Sequence, residues 1–376
     1  MKLHFSTVLV AALCLLASAF AADEPIDFSR ARQLFQRQQK GETLTADEKT
    51  YLERAMAERR KQQNGGGGGP GAGAQRPAPF TEHLTPLPEL GAGKYKEQDG
   101  GLYGGGSNEP PRAHLAAAMK EAAKIEPLDA DGKPAASGKI GLISVGMSNT
   151  TQEFSALVQK ARGDADKSPE VVLVDCAQGG QTGLRWADPK TPLWTEVDRR
   201  LAAAGVSPKQ VQVAWMKEAE AGPANLGAFP KHAEVLRDNI EKGLILLKQR
   251  FPNLRLVYLS SRIYAGYAST MLNPEPFAYE SAFAVRWVIQ DQIAGKPELN
   301  YDAARGEVKT PLVLWGPYLW ADGKTARKAD GFTYEPEDLG PDGTHPSNSG
   351  REKVATLLLK FLKTEATAKP WFVKGK

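Results

Sequence analysis

From Lys139 onward the sequence repeats one unit, a short apolar run followed by an amphipathic helical segment. The runs cover residues 140–145, 171–175, 211–215, 254–260 and 311–315, each rich in Val, Leu and Ile. Between them, residues 153–161, 194–204, 233–251 and 278–293 have helical periodicity, and residues 349–362 close the pattern. A strand with one wet face alternates apolar and polar side chains. A run that is apolar throughout is covered on both faces, and the intervening helices supply the cover. The expected fold is α/β, a three-layer α/β/α sandwich around a five-stranded parallel sheet.

Open parallel sheets bind ligands beyond the carboxyl ends of their strands. This singles out residues 146–149, 176–183, 216–220, 261–264 and 316–322, together with the loop 342–345 before the last helix. Ser148 directly follows the first run, where a turn into a helix can expose its hydroxyl. A serine hydroxyl needs a base, and the base needs an acceptor that fixes its tautomer. The chain has five histidines, and of these only His345 falls in a strand-end loop. Asp342, three residues before it in a Gly-containing turn, can brace one ring nitrogen and leave the other free. Gly179 and Gly180 follow the second run, where a residue without Cβ lets the backbone amide approach a substrate oxygen. The bland readings are a helix-capping Ser148 and a surface His345.

The flanking sequence is of a different kind. Residues 1–21 combine a Lys2-bearing start, an apolar run over 8–16 and a small-x-small ending at Ala21, the form of a signal peptide. Export, to a periplasm or beyond the cell, is therefore expected. Residues 22–63 carry two helical patterns, the second opened by a capping box at Thr45-Ala46-Asp47-Glu48 with Tyr51, Leu52, Ala55 and Met56 on one side. They read as a small helical hairpin, either a solvated spacer or a module for a protein partner. Residues 64–80 are a Gly/Pro-rich linker, and 81–138 an irregular approach segment with one helix, 111–124, before the domain at 139–376. The Gly-rich loop 103–108 follows no strand, so it reads as a loop folded over the main domain.

Beyond the leader only Cys176 remains, so no intramolecular disulfide is expected, and its placement suits buried packing. The net charge of +4, with acids and bases interleaved, gives no footprint for nucleic acid. No segment reaches the length of apolar sequence that spans a bilayer.

Three blocks, Gly146-Met147-Ser148-Asn149, Gly179-Gly180 and Asp342-Gly343-Thr344-His345-Pro346, resemble blocks of the SGNH (GDSL-like) hydrolases. With the segment 178–182, Trp186 and Ala214-Trp215-Met216-Lys217, the resemblance is greatest to the sialate O-acetylesterase and acetylxylan esterase branch. It covers about residues 139–362. It implies Ser148 as nucleophile, His345 as base, Asp342 as its orienting acid, and the Ser148 and Gly180 amides as oxyanion donors. It also implies metal-free, cofactor-free hydrolysis of a short acyl ester, acetyl above all, on a carbohydrate.

The family's third block offers an Asn or Gln side chain to the oxyanion, and here Lys217 stands in its place. An ammonium can serve as donor unless a carboxylate such as Glu218 or Glu220 takes it. Gly179, Asn149, Arg262, Tyr264 and Trp186 complete the expected substrate-binding set, with Trp320 and Asp322 as further rim candidates. The alternative reading, sustained by Lys217, is a catalytically degenerate domain that binds a glycan or an envelope partner.

Overall fold

The computed structural model describes residues 26, 27, 30, 31, 33, 34, 37, 42–64 and 77–375. The expected leader, Phe28 and Phe35 of the first helical pattern, and residues 65–76 of the linker lie outside them. The chain divides into two compact units, Met1–Ala72 and Gly73–Lys376.

In the first unit, α1 (Ala46–Asn64) opens at the expected capping box. The Glu48 amide donates to Thr45 Oγ1 at 3.2 Å and the Thr45 amide donates to Glu48 Oε2 at 2.9 Å, pairing two donors that a helix start leaves unmet. Ala31, Leu34, Leu44, Tyr51, Leu52 and Ala55 are buried together. Met56 does not join this small core: it is exposed, because the buried stripe is too narrow to reach it.

In the second unit the approach segment forms a two-stranded ribbon, β1 (Lys94–Tyr95) and β2 (Gln98–Asp99), and the helix α2 (Arg112–Ala122). Lys96 and Glu97 turn the ribbon with φ of 42° and 68°, the positive values that match the twist of a tight hairpin. This segment is not a separate region before the domain. Arg286 Nη1 donates to Asp99 O and Trp315 Nε1 to Leu102 O, both at 2.6 Å. Residues 81–138 therefore belong to the same compact unit as the sheet, and the Gly-rich loop folds over it as expected, with Gln290 Nε2 donating to Tyr103 O at 3.0 Å.

The five expected runs are β3 (Ile140–Gly146), β4 (Val171–Val174), β5 (Val211–Lys217), β6 (Leu256–Leu259) and β7 (Leu312–Trp315). They form one parallel sheet in the order β4-β3-β5-β6-β7. The helices are α3 (Ser148–Arg162), α4 (Gly183–Trp186), α5 (Leu193–Ala203), α6 (Lys231–Arg250), α7 (Phe277–Ile293), α8 (Asn348–Thr364) and α9 (Lys369–Phe372).

Successive side chains of a strand face opposite sides, and β5 shows what covers each side. Trp215 stacks on Phe154 of α3 with ring centroids 6.0 Å apart. Met216 points the other way and packs against Gly243 of α6. On the α3 side, Phe361 of α8 meets Tyr258 of β6 edge-on. The result is the expected three-layer α/β/α sandwich. Among the described residues no helix is long and apolar enough to cross a membrane.

Candidate active site

The strand carrying Ser148 ends in a forced turn. Gly146 has φ of 152°, and a Cβ there would lie 2.3 Å from Lys217 O and 2.4 Å from Thr150 Oγ1. Only glycine lets β3 pass β5 this closely. Met147 is extended, and Ser148 is the first residue of α3. Its amide has no acceptor within the helix and sits at the positive end of the helix dipole.

Ser148 Oγ lies 2.7 Å from His345 Nε2, across 197 residues of sequence. His345 Nδ1 lies 2.5 Å from Asp342 Oδ2. A carboxylate only accepts, so Nδ1 carries the proton and the Nε2 lone pair faces the serine hydroxyl. Asp342 Oδ1 also accepts the amides of Thr344 at 3.1 Å and His345 at 3.0 Å. Burial works against its charge, but the hydrogen bonds from the His345 ring and from these two amides outweigh it and hold the carboxyl at about 2.

The loop is fixed from two sides. Gly343 has φ of 63° and packs against the backbone of Tyr267, where a Cβ would fall 1.8 Å from Tyr267 O. Asn149, next to Ser148, is buried and donates to Thr344 O at 2.9 Å. The sequence assigned Asn149 to substrate; its amide instead ties the helix of Ser148 to the histidine loop.

The diglycine turn lies beside the serine. A Cβ on Gly179 would be 3.8 Å from Ser148 Cβ, and Gly180, with φ of 77°, has open space where a Cβ would stand. Both glycines are exposed, and among the described residues their amides take no hydrogen-bond acceptor. The turn is positioned by Asp175, which the sequence reading passed over. Its carboxylate accepts Ser144 Oγ of β3 at 2.6 Å, Ser155 Oγ of α3 at 2.9 Å, and Thr151 Oγ1. Ser144 Oγ in turn accepts the amides of Cys176 and Ala177 at 3.0 Å each. An acid closing an apolar run was the visible signal: one side chain must be turned away from the core there.

Several expected contacts are corrected. Lys217 is no oxyanion donor. Its ammonium is buried and bonded to the carboxylate of Glu153, on the second turn of α3. Burial lowers the ammonium to about 8 and raises the Glu153 carboxyl, against their mutual attraction. Neither Glu218 nor Glu220 takes Lys217: Glu220 Oε1 instead accepts the Leu184 amide and Asn239 Nδ2 of α6, both at 2.9 Å.

Trp186 is buried, and its indole N–H donates to Gly146 O at 3.3 Å, so it braces the turn before Ser148 rather than a sugar. Arg262 is buried among the charges of Glu153, Glu275 and Asp342, away from the rim. Trp320 is buried too, donating to Glu275 Oε1 at 2.7 Å. Tyr264 is not withdrawn in the same way: its ring is covered edge-on by Tyr267 and Trp320, but its hydroxyl takes no protein partner among the described residues. Cys176 is buried, and burial pushes its thiol up.

His83, far from the strand-end loops in sequence, reaches one of them: its Nδ1 is 2.9 Å from Asp322 Oδ2. Among the described residues no group of three or more His, Cys, Asp or Glu side chains is placed to hold a metal ion.

No family model and no curated relative matches the sequence. Among solved structures, a protein of Arabidopsis thaliana is 15% identical with a TM-score of 0.32, over 56% of this chain and 67% of its own. A gut microbial diltiazem-metabolizing enzyme is 16% identical with a TM-score of 0.33, over 59% of this chain and 46% of its own. The chain thus spans less than half the length of the second.

Proposed function

We propose that the chain is a serine ester hydrolase of the SGNH type, exported, that removes short acyl groups, acetyl above all, from carbohydrate. The observation that carries this reading is the continuous relay from Ser148 Oγ through the His345 ring to Asp342. In the reaction Ser148 Oγ attacks the ester carbonyl as its proton passes to His345 Nε2. The carbonyl oxygen, now charged, is met by the amides of Ser148 and Gly180. Collapse expels the alcohol, which takes the proton from Nε2, and leaves the acyl group on Ser148. Water then attacks the acyl-serine, giving a proton to Nε2; Ser148 Oγ leaves, taking that proton back from Nε2, and the carboxylic acid departs with the enzyme restored. Asp342 keeps the imidazole in the required tautomer and stabilises its charged form.

Loss of one oxyanion donor typically costs about a hundredfold to a thousandfold in rate. With Lys217 engaged by Glu153, the site works with backbone donors alone, and a slow enzyme is expected. The same feature favours the second reading, a degenerate glycan- or partner-binding domain. The two separate on one experiment: hydrolysis of 4-nitrophenyl acetate and labelling by a fluorophosphonate. Both signals in the wild type, lost in Ser148→Ala and His345→Ala, support the hydrolase. Their absence from the wild type across neutral pH overturns it in favour of the binder.

A further inference from the structure

His83 and Asp322 form a second imidazole–carboxylate pair, apart from the one that serves Ser148. Asp322 follows β7 and is 6% exposed, whereas the His83 side chain is 86% exposed. The segment bearing His83 is strapped to α7 and to the segment that follows β7. Thr85 O accepts from Tyr279 Oη at 2.9 Å, the Leu87 amide donates to Tyr318 Oη at 3.1 Å, and Glu89 Oε1 accepts the Lys328 amide at 2.6 Å. The bond thus joins an exposed ring to a buried carboxylate, which holds the imidazole at the surface in one orientation. Since the carboxylate accepts from Nδ1, the imidazole presents Nε2, which has no protein partner among the described residues.

The neighbours of this pair lead back to the reacting centre. Gly323, next to Asp322, would place a Cβ 3.2 Å from both Tyr264 Cζ and Tyr267 Oη. Tyr267 Oη donates to Tyr334 O at 2.9 Å, but the Tyr264 hydroxyl bonds to no protein atom among the described residues. Tyr267 packs on Gly343, and the Ser269 amide donates to Asp342 O at 2.9 Å. The shelf formed by His83, Asp322 and Tyr264 therefore adjoins the loop that carries Asp342 and His345. The shelf follows β7, three strands from β3 in the sheet, so it is offset from Ser148 toward that edge, on the side an extended leaving alcohol rather than an acetyl group would occupy.

We propose that His83, held by Asp322, and the Tyr264 hydroxyl form a subsite for the saccharide part of the leaving alcohol, one or more rings beyond the acylated one. The chemistry suits hydroxyls: Nε2 accepts, Tyr264 both donates and accepts, and the Tyr267 edge offers an aromatic surface. It disfavours anions, since Asp322 is joined near Tyr267 by Glu335, Glu337 and Asp338. The proposal rests on the esterase reading and assigns the leaving-group side of the same site.

The test compares chemically acetylated xylo-, manno- and cello-tetraose with 4-nitrophenyl acetate, in wild type, His83→Ala and Tyr264→Phe. Each substitution should lower the ratio of kcat/KM for the best tetraose to that for 4-nitrophenyl acetate by about tenfold, the worth of one good hydrogen bond. The loss should fall in KM rather than kcat. An unchanged ratio in both variants overturns the subsite while leaving the esterase standing, as does a wild type that hydrolyses 4-nitrophenyl acetate but none of the tetraoses. A wild type no faster than Ser148→Ala on every ester overturns the esterase reading and the subsite with it. Melting curves of His83→Ala and Tyr264→Phe beside the wild type separate a loss of binding from a loss of folding.

Discussion

At the scale of single residues, the site depends on backbone conformations that few side chains accept. Gly180 has room for a Cβ but a left-handed backbone, so Gly180→Ala meets strain of about 1–2 kcal/mol rather than a clash. It should fold, and its esterase rate should fall by up to about a hundredfold as its amide turns from the oxyanion; stopped spectrophotometric assays beside a melting curve check both. Asp342 behaves differently because it is charged. Its folded value of about 2 lies below the usual 3.8, so its contribution to stability is complete above 3.8 and vanishes as pH falls toward 2. Asp342→Asn should therefore be less stable than wild type at neutral pH, with the gap closing on acidification, as urea unfolding at a series of pH values would read. Ser148, Asp342 and His345 were legible because each stands at a strand exit or in the loop before α8, where side chains leave the core. The fate of Lys217 was not: its partner lies 64 residues away on the layer above the sheet, and adjacent acids in sequence drew attention instead.

At the scale of elements, strands and long helices announced themselves through periodicity, while short pieces did not. The four-residue helix α4 and the two-residue strands β1 and β2 hold too few residues to show a period, and their conformations come from what they dock against. The brace between α3 and β5 carries a prediction of its own. Lys217→Asn would leave Glu153 buried without its cation, and removing one member of such a pair costs about 3–5 kcal/mol. Glu153→Gln should destabilise as well, and the double variant should lose less than the two single losses combined. Urea denaturation of all four proteins measures this. An asparagine at 217 supplied alone should thus bring instability rather than a faster enzyme.

At the scale of the whole chain, each unit has its own buried cluster. A protein comprising residues 73–376 should therefore fold and keep the wild-type kcat/KM on 4-nitrophenyl acetate; a large loss would assign the first unit a part in catalysis. The division was legible from the Gly-rich composition after residue 64. The membership of residues 81–138 was not, because irregular backbone docks through single bonds such as Arg286 to Asp99 O, which leave no trace in a pattern. Asp175 grips the strand before Ser148, the helix that Ser148 opens and, through Ser144, the exit toward the diglycine turn. The Ser148 hydroxyl and the diglycine amides are thus moored to a single post, so warming cannot loosen one and spare the other: the proposed esterase should fail abruptly, without a half-working interval.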